Sequence, residues 1–275
     1  MHEEEAGVKL PIYIIDAFAS GPMTGNPAAV IPLAAWLDVS TMQAIAGEIN
    51  LSETVFTVPV PAKESRHGEA NFEIRWFTPI KEVDMIGHAT LAAGFHLADS
   101  LKPRPDKINF ISSGAVMTVA ARGDALELDM PALLPKDVPS PAGLAEALGA
   151  KPAALLAAKH YLAVFERAED VAALRPDFQA LAKLPLPAVI VTAPGRDGFD
   201  FVSRFFAPAN GVDEDPVSGV AHCCLAPYWS GRLGRAVTAG RQISPRGGTI
   251  KCEYRQDRVL LSGAARVFLQ GTIHI

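Results

Sequence analysis

Apolar and polar positions along this chain fall into alternating strand-like and helix-like rhythms, and the rhythms run in the same order twice. Residues 11–18 (PIYIIDAF) are β-branched and aromatic and predict a strand. A Gly/Pro-rich turn follows at 21–27 (GPMTGNP), then a short apolar strand. Residues 40–49 (STMQAIAGEI) have a Ser/Thr start and helical spacing. Strands are expected at 54–59 and 70–77, an apolar helix at 87–99 (GHATLAAGFHLAD), and a meander of short strands at 108–111, 115–120 and 126–129. The second half predicts short helices at 142–148 and 171–175 and strands at 161–165, 188–192 and 199–206. A second apolar helix is expected at 219–229, then strands at 242–244, 249–253 and 259–261, with 265–269 closing the chain. Residues 1–7 read as a frayed tail.

The two runs can be superposed by spacing. Setting Gly87 over Gly219 puts Ala89 over Ala221, with Phe77-Thr-Pro79 near Phe206-Ala-Pro208 upstream. Downstream, Ser113-Gly114 and Gly247-Gly248 end 27 and 29 residues past the anchor glycines, and Leu126 and Leu260 each follow 12 residues later. Strand, loop, Gly-initiated helix, strand, turn and strand therefore recur. Paired units of this kind enclose clefts that hold small ligands. If a two-fold axis relates them, both helix N-termini face the cleft, and their free amides favour an anionic group. A small carboxylate suits such a place better than a long polymer.

Composition narrows the classes. The 275 residues suffice for one large domain or two of about 130 residues each. With 49% apolar and 20% charged residues, the chain has a sizeable core and is not disordered. The net charge of −5, without a long basic run, argues against nucleic-acid binding. No stretch approaches the roughly 18 apolar residues of a membrane helix, and the acidic start MHEEEAGVKL is no signal peptide. Three cysteines without a CxxC pair fit a reducing cytoplasm rather than a disulfide framework.

Three residues can carry chemistry. Glu53, in NLSET, is expected in a polar loop between helix and strand; half-buried at a cleft, its carboxylate can accept and return a proton. For an isolated Glu a solvated loop or cap is the competing reading. His88, in GHAT, falls in the first turn of the first apolar helix, where the dipole favours a neutral imidazole. Asp215, in EDPVSG, precedes the second helix and is either functional or a helix cap, with Ser218 the alternative cap. No GxSxG, HExxH, GxGxxG or GxxxxGK[ST] occurs, so serine-hydrolase, zinc-protease, dinucleotide and nucleotide motifs are missing. His88 and His96, eight residues apart, are too far separated along a helix for one ion, and no metal or cofactor is expected. Cys223 and Cys224 read as core residues.

Together the segments DAFASGPMTGNPAAVIPL, NLSET, RWFTPIKEVDMIGHAT, SSG, DEDPVSGVAH, LAPYW and ISPRGG resemble the phenazine-biosynthesis-like (PhzF-like) family over almost the whole chain. The resemblance implies an α+β, diaminopimelate epimerase-like fold: two pseudo-symmetric halves, each a mostly antiparallel sheet around a central helix. The halves would be 8–130, joined by the end 264–275, and 131–263. It also implies a homodimer and a cofactor-independent isomerase similar to trans-2,3-dihydro-3-hydroxyanthranilate isomerase, acting on a small carboxylate-bearing molecule. Glu53 would be the acid/base, with His88 and Asp215 binding substrate and moving protons. Gly87, Ser218, Gly219 and Val220 would line the substrate. Two departures stand out. Val220 replaces a family serine, which removes a hydroxyl from the substrate's surroundings and makes an inactive ligand-binding protein the alternative reading. Ile86 and Ser218 occupy the places of the cysteine pair of related amino-acid epimerases, so thiol racemisation is not expected.

Overall fold

The computed structural model describes residues 7–61, 70–112, 115–123 and 125–275. The expected turn at 113–114 and most of the N-terminal tail lie outside the described residues. Strands β1 (Lys9–Ala17) and β2 (Asn26–Pro32) lead into helix α1 (Val39–Ile49), which ends on Asn50 in the left-handed conformation, φ 54°. Next come β3 (Glu53–Pro59), β4 (Ala70–Phe77), the short β5 (Glu82–Val83) and helix α2 (Gly87–Ser100). Strands β6 (Lys107–Ser112), β7 (Ala115–Arg122), β8 (Ala125–Pro131) and β9 (Lys136–Asp137) follow. Helix α3 (Leu144–Leu148) precedes β10 (Ala154–Ala157) and β11 (Tyr161–Val164). Helices α4 (Ala168–Ala173) and α5 (Phe178–Leu181) precede β12 (Val189–Pro194) and β13 (Phe201–Phe206). Helix α6 (Gly219–Leu233), β14 (Val237–Gln242), β15 (Gly248–Arg255), β16 (Arg258–Gly263) and β17 (Ala265–His274) complete the chain.

The pairing of these strands repeats. From β2 the ladders run β2–β3 parallel, β3–β4 antiparallel, β4–β6 parallel, β6–β7 and β7–β8 antiparallel. From β11 they run β11–β12 parallel, β12–β13 antiparallel, β13–β14 parallel, β14–β15 and β15–β16 antiparallel. The crossover between each second parallel pair is a helix, α2 in one case and α6 in the other, as parallel neighbours require. An antiparallel β8–β16 ladder joins the two arcs, and β17 returns to pair with β1. The fold is the expected α+β epimerase-like one.

Both central helices are apolar almost all round, which predicts helices enclosed on every side. Residues Ala89, Leu91, Ala92 and Ala93 of α2 and Ala221, Cys223, Cys224 and Leu225 of α6 belong to one continuous core with the inner strand faces. A smaller core lies under α1, and another under α3 to α5. The last expected strand positions shift. The strand expected at 242–244 is β14, ending at Gln242, because Gly240 and Arg241 dilute the apolar alternation that Thr238, Gly240 and Gln242 nevertheless follow by burial. The helix expected at 171–175 is α4, which stops at Ala173; Arg175 precedes Pro176, and that disfavours helical backbone. Among the described residues, no helix is long and apolar enough to cross a membrane.

Candidate active site

Glycine brings the two central helices together. A Cβ built on Gly87 would lie 2.7 Å from the Cα of Gly219, and the converse distance is also 2.7 Å. Only paired glycines permit that approach. The helix starts therefore abut, and both face one cavity of about 590 Å³. Ile86 offers α2 no side-chain cap. At α6 the Ser218 hydroxyl accepts from the Ala221 N–H at 3.2 Å, and Gly219 and Val220, which it does not cap, line the cavity. Ser218 is thus the cap, and the capping role considered for Asp215 is corrected. The Ser218 N–H donates to Gln242 Oε1 at 2.9 Å, so this residue shapes the wall with both polar groups already engaged.

Glu53, His88 and Asp215 converge here from three distant places in the chain. Glu53 is the first residue of β3 rather than part of a loop, and it is buried with 7% of its surface exposed. His88, the second residue of α2, and Asp215, just ahead of α6, are buried as well. Glu53 Oε2 lies 3.1 Å from His88 Nε2, within ion-pair distance, and among the described residues neither atom has a further partner. Asp215 is held differently. Asn26 Nδ2 donates to Asp215 Oδ1 at 2.6 Å and to the Val217 carbonyl at 2.9 Å. Gln242 Nε2 donates to the Asp215 carbonyl at 2.6 Å, and the Ser244 hydroxyl to that of Pro216 at 2.7 Å. The loop ahead of α6 is thereby fastened on both sides.

Charge within the cluster corrects one expectation. Burial pushes the His88 imidazole toward the neutral form, but the Glu53 and Asp215 carboxylates outweigh it and hold its pKa above the ordinary value. The helix dipole that favours a neutral ring is overcome by two acids brought from elsewhere in the chain. Burial drives the Asp215 carboxyl up to about 6; His88, Asn26 and Ser218 counter it, while Glu53 reinforces it. The three side chains also offer one ligand atom each within 4.8 Å of one another, a group that spacing along the chain could not reveal.

Asn26, Gln242 and the outer cavity residues Lys81, Lys159 and His160 escaped sequence reading. Asn26 is bonded to a residue 189 positions away, so no periodicity marks it; its only local signal is a polar residue inside the TGNP turn. Val220 presents an apolar surface to the cavity where the family resemblance expected a hydroxyl. The cysteines behave as core: all three are free and buried, with every thiol pKa pushed up by burial, that of Cys224 to about 12.

Comparison with known proteins agrees with this architecture. Residues 15–271 match the family model described as phenazine biosynthesis-like protein. The chain is 45% identical to an uncharacterized isomerase of Pseudomonas aeruginosa, over 98% of this chain and 100% of the relative. The crystal structure of a PhzF-family phenazine biosynthesis protein from Enterococcus faecalis is similar with a TM-score of 0.87 and 40% identity, covering 98% of this chain and 100% of that one. A hydroxyproline epimerase from Agrobacterium vitis shares the fold alone, with a TM-score of 0.64 at 10% identity over 97% of this chain and 93% of its own.

Proposed function

Because the chain belongs to the phenazine biosynthesis-like family and is an isomerase, we propose that Glu53 is the acid and base of a cofactor-independent proton shift on a small carboxylate-bearing metabolite. One observation carries this reading: two buried atoms, Glu53 Oε2 and His88 Nε2, face each other at 3.1 Å beside two helix starts, with no further partner among the described residues. A buried carboxylate and imidazole whose facing atoms have only each other can exchange a proton with a substrate that enters beside them.

The substrate carboxylate is received by the amides at Gly87–His88 and Gly219–Val220, where the helix dipoles favour it. Glu53 removes a proton from an activated carbon, and the electron pair of that C–H bond delocalises toward the neighbouring unsaturated or carboxylate group. The amides and His88 stabilise the charge that develops. Glu53 then returns the proton to a different carbon of the same molecule, so no electrons are gained or lost. His88 and Asp215 hold a second proton near the site, favoured there by the raised pKa of each. Ser218 and Val220 shape the wall against which the substrate lies. In this reading the site halves are 8–130 with 264–275 and 131–263, the protein works in the cytoplasm, where its buried thiols stay free, and two copies pair. The outer side of β17, which exposes Val267 and Phe268, is a surface that such pairing would cover.

The test is exchange of substrate protons with heavy water. Glu53→Gln is expected to lower exchange by about a hundred- to ten-thousandfold while binding is retained. Wild-type exchange in that variant would remove Glu53 from the mechanism, and exchange by the native protein excludes a pure ligand binder. Since Glu53, His88 and Asp215 offer a possible donor set, the same assay after dialysis against EDTA separates the metal alternative. Unchanged turnover is expected.

A further inference from the structure

Part of the cavity lining carries polar groups that the proton shift does not use. Lys159 and His160 lie just ahead of β11, and both line the cavity. Lys159 Nζ reaches Asp84, just ahead of α2, at 2.6 Å, so one ion pair bridges the two arcs beside the cavity. His160 is only 4% exposed, its ring lies 5.3 Å from that of Phe205, and among the described residues its Nδ1 has no hydrogen-bond partner. Burial and the adjacent Lys159 push its pKa down to about 4, so the ring is neutral and carries one N–H donor.

The charge balance around these groups favours an anion. Glu82 is taken by Arg75 at 2.6 Å and Asp84 by Lys159. Lys81 Nζ donates to the Ala209 carbonyl at 2.9 Å and, among the described residues, has no acidic partner. Among Lys81, Glu82, Asp84 and Lys159 the charge of Lys81 is the one that no carboxylate offsets. Asp84 is largely exposed, so it is well hydrated and can yield Lys159 to a competing oxyanion.

We propose that Lys159 and His160 form a second anion subsite, and that the substrate is a dianion with one carboxylate at the helix starts and a second acidic group at Lys159–His160. This rests on the reading of the helix starts given under Proposed function and adds the class of substrate to it. A dicarboxylate would engage both places, whereas a monoacid leaves Lys159 and His160 without a ligand.

Calorimetric titration with succinate, glutarate and adipate, each beside the monoacid of equal length (butyrate, valerate, hexanoate), tests it. At least one dicarboxylate is expected to bind about tenfold or more tightly than its monoacid. Lys159→Met and His160→Asn should each cut that ratio to below about threefold and leave monoacid affinity unchanged. Retained monoacid binding shows that a variant is folded; if His160→Asn loses it, Lys159→Met alone decides. A ratio near one in the native protein, a ratio unchanged in a folded variant, or no binding of any acid at about 20 mM overturns the subsite. Glu53→Gln should keep the ratio. Exchange lost with the ratio absent would strike the subsite alone, and exchange retained in Glu53→Gln with the ratio intact would strike the proton-shift reading alone.

Discussion

At the scale of single residues, the site depends on side chains whose partners are remote in sequence. Asn26 is the clearest case. Its amide donates to Asp215 Oδ1 and so favours the ionised carboxylate, one of the contacts that oppose burial. Asn26→Ala should therefore raise the Asp215 pKa further above about 6 and move the corresponding limb of the pH–rate profile to higher pH. It should also cost about 1–3 kcal/mol of stability, since a buried acceptor loses its donor; denaturant unfolding reads this second effect. Glu53, His88 and Asp215 were each nameable from motifs shared with a family. Their convergence was not, because residues 53, 88 and 215 meet only after the sheet has closed. The protonation of His88 is not legible in the sequence for the same reason. Its own helix was visible in the sequence, while the two carboxylates that outweigh burial come from elsewhere.

At the scale of elements, the two apolar helices and their glycine starts were legible because apolar residues run on without a polar face and glycine interrupts them at the right spacing. Short pieces such as β9, β10 and α5 were not, since two to four residues carry too little periodicity to read. The Gly87–Gly219 contact makes the helix starts interdependent. Gly87→Ala or Gly219→Ala would bring a methyl to 2.7 Å from the opposite backbone and force the helices apart. Each is expected to cost about 1–3 kcal/mol, the range for overpacked cores. Each should also weaken carboxylate binding, because the amides at both starts move. Thermal unfolding together with monoacid titration checks the pair of effects. A serine there would act no differently, since the strain arises at Cβ.

At the scale of the whole molecule, buried histidines set the acid limit. Burial lowers the pKa of His160 and His222 to about 4 from an ordinary 6.5, and it lowers that of His96 as well. Below pH 6.5 the unfolded chain takes up protons that the folded chain refuses, so stability falls with pH until about 4. His160 and His222 each contribute on the order of 3 kcal/mol across that window. Asp215 works in the opposite sense between its ordinary 3.8 and about 6, where the folded state binds the extra proton. Asp16, also raised by burial, acts the same way, but the three depressed histidines outnumber the two carboxyls, and net loss of stability is expected from pH 6.5 to 4, measured as falling denaturation midpoints. His222→Gln should flatten the slope if the substitution is accommodated in the core, where Nδ1 now meets the Ser218 carbonyl at 2.7 Å. The order of ladders was legible as a repeat of landmarks, but the β8–β16 seam that joins the two arcs was not, because no local signal names a strand's partner. The glycine contact at the centre of that architecture also governs how the sequence can diverge. In most packed pairs one side chain can shrink as its neighbour grows, and a lineage drifts through such exchanges. Gly87 and Gly219 are each already the smallest residue, so enlargement on one side has nothing opposite to give way. No reversion at the partner position can suppress it, and the two helix starts, though far apart in the gene, are inherited as one invariant.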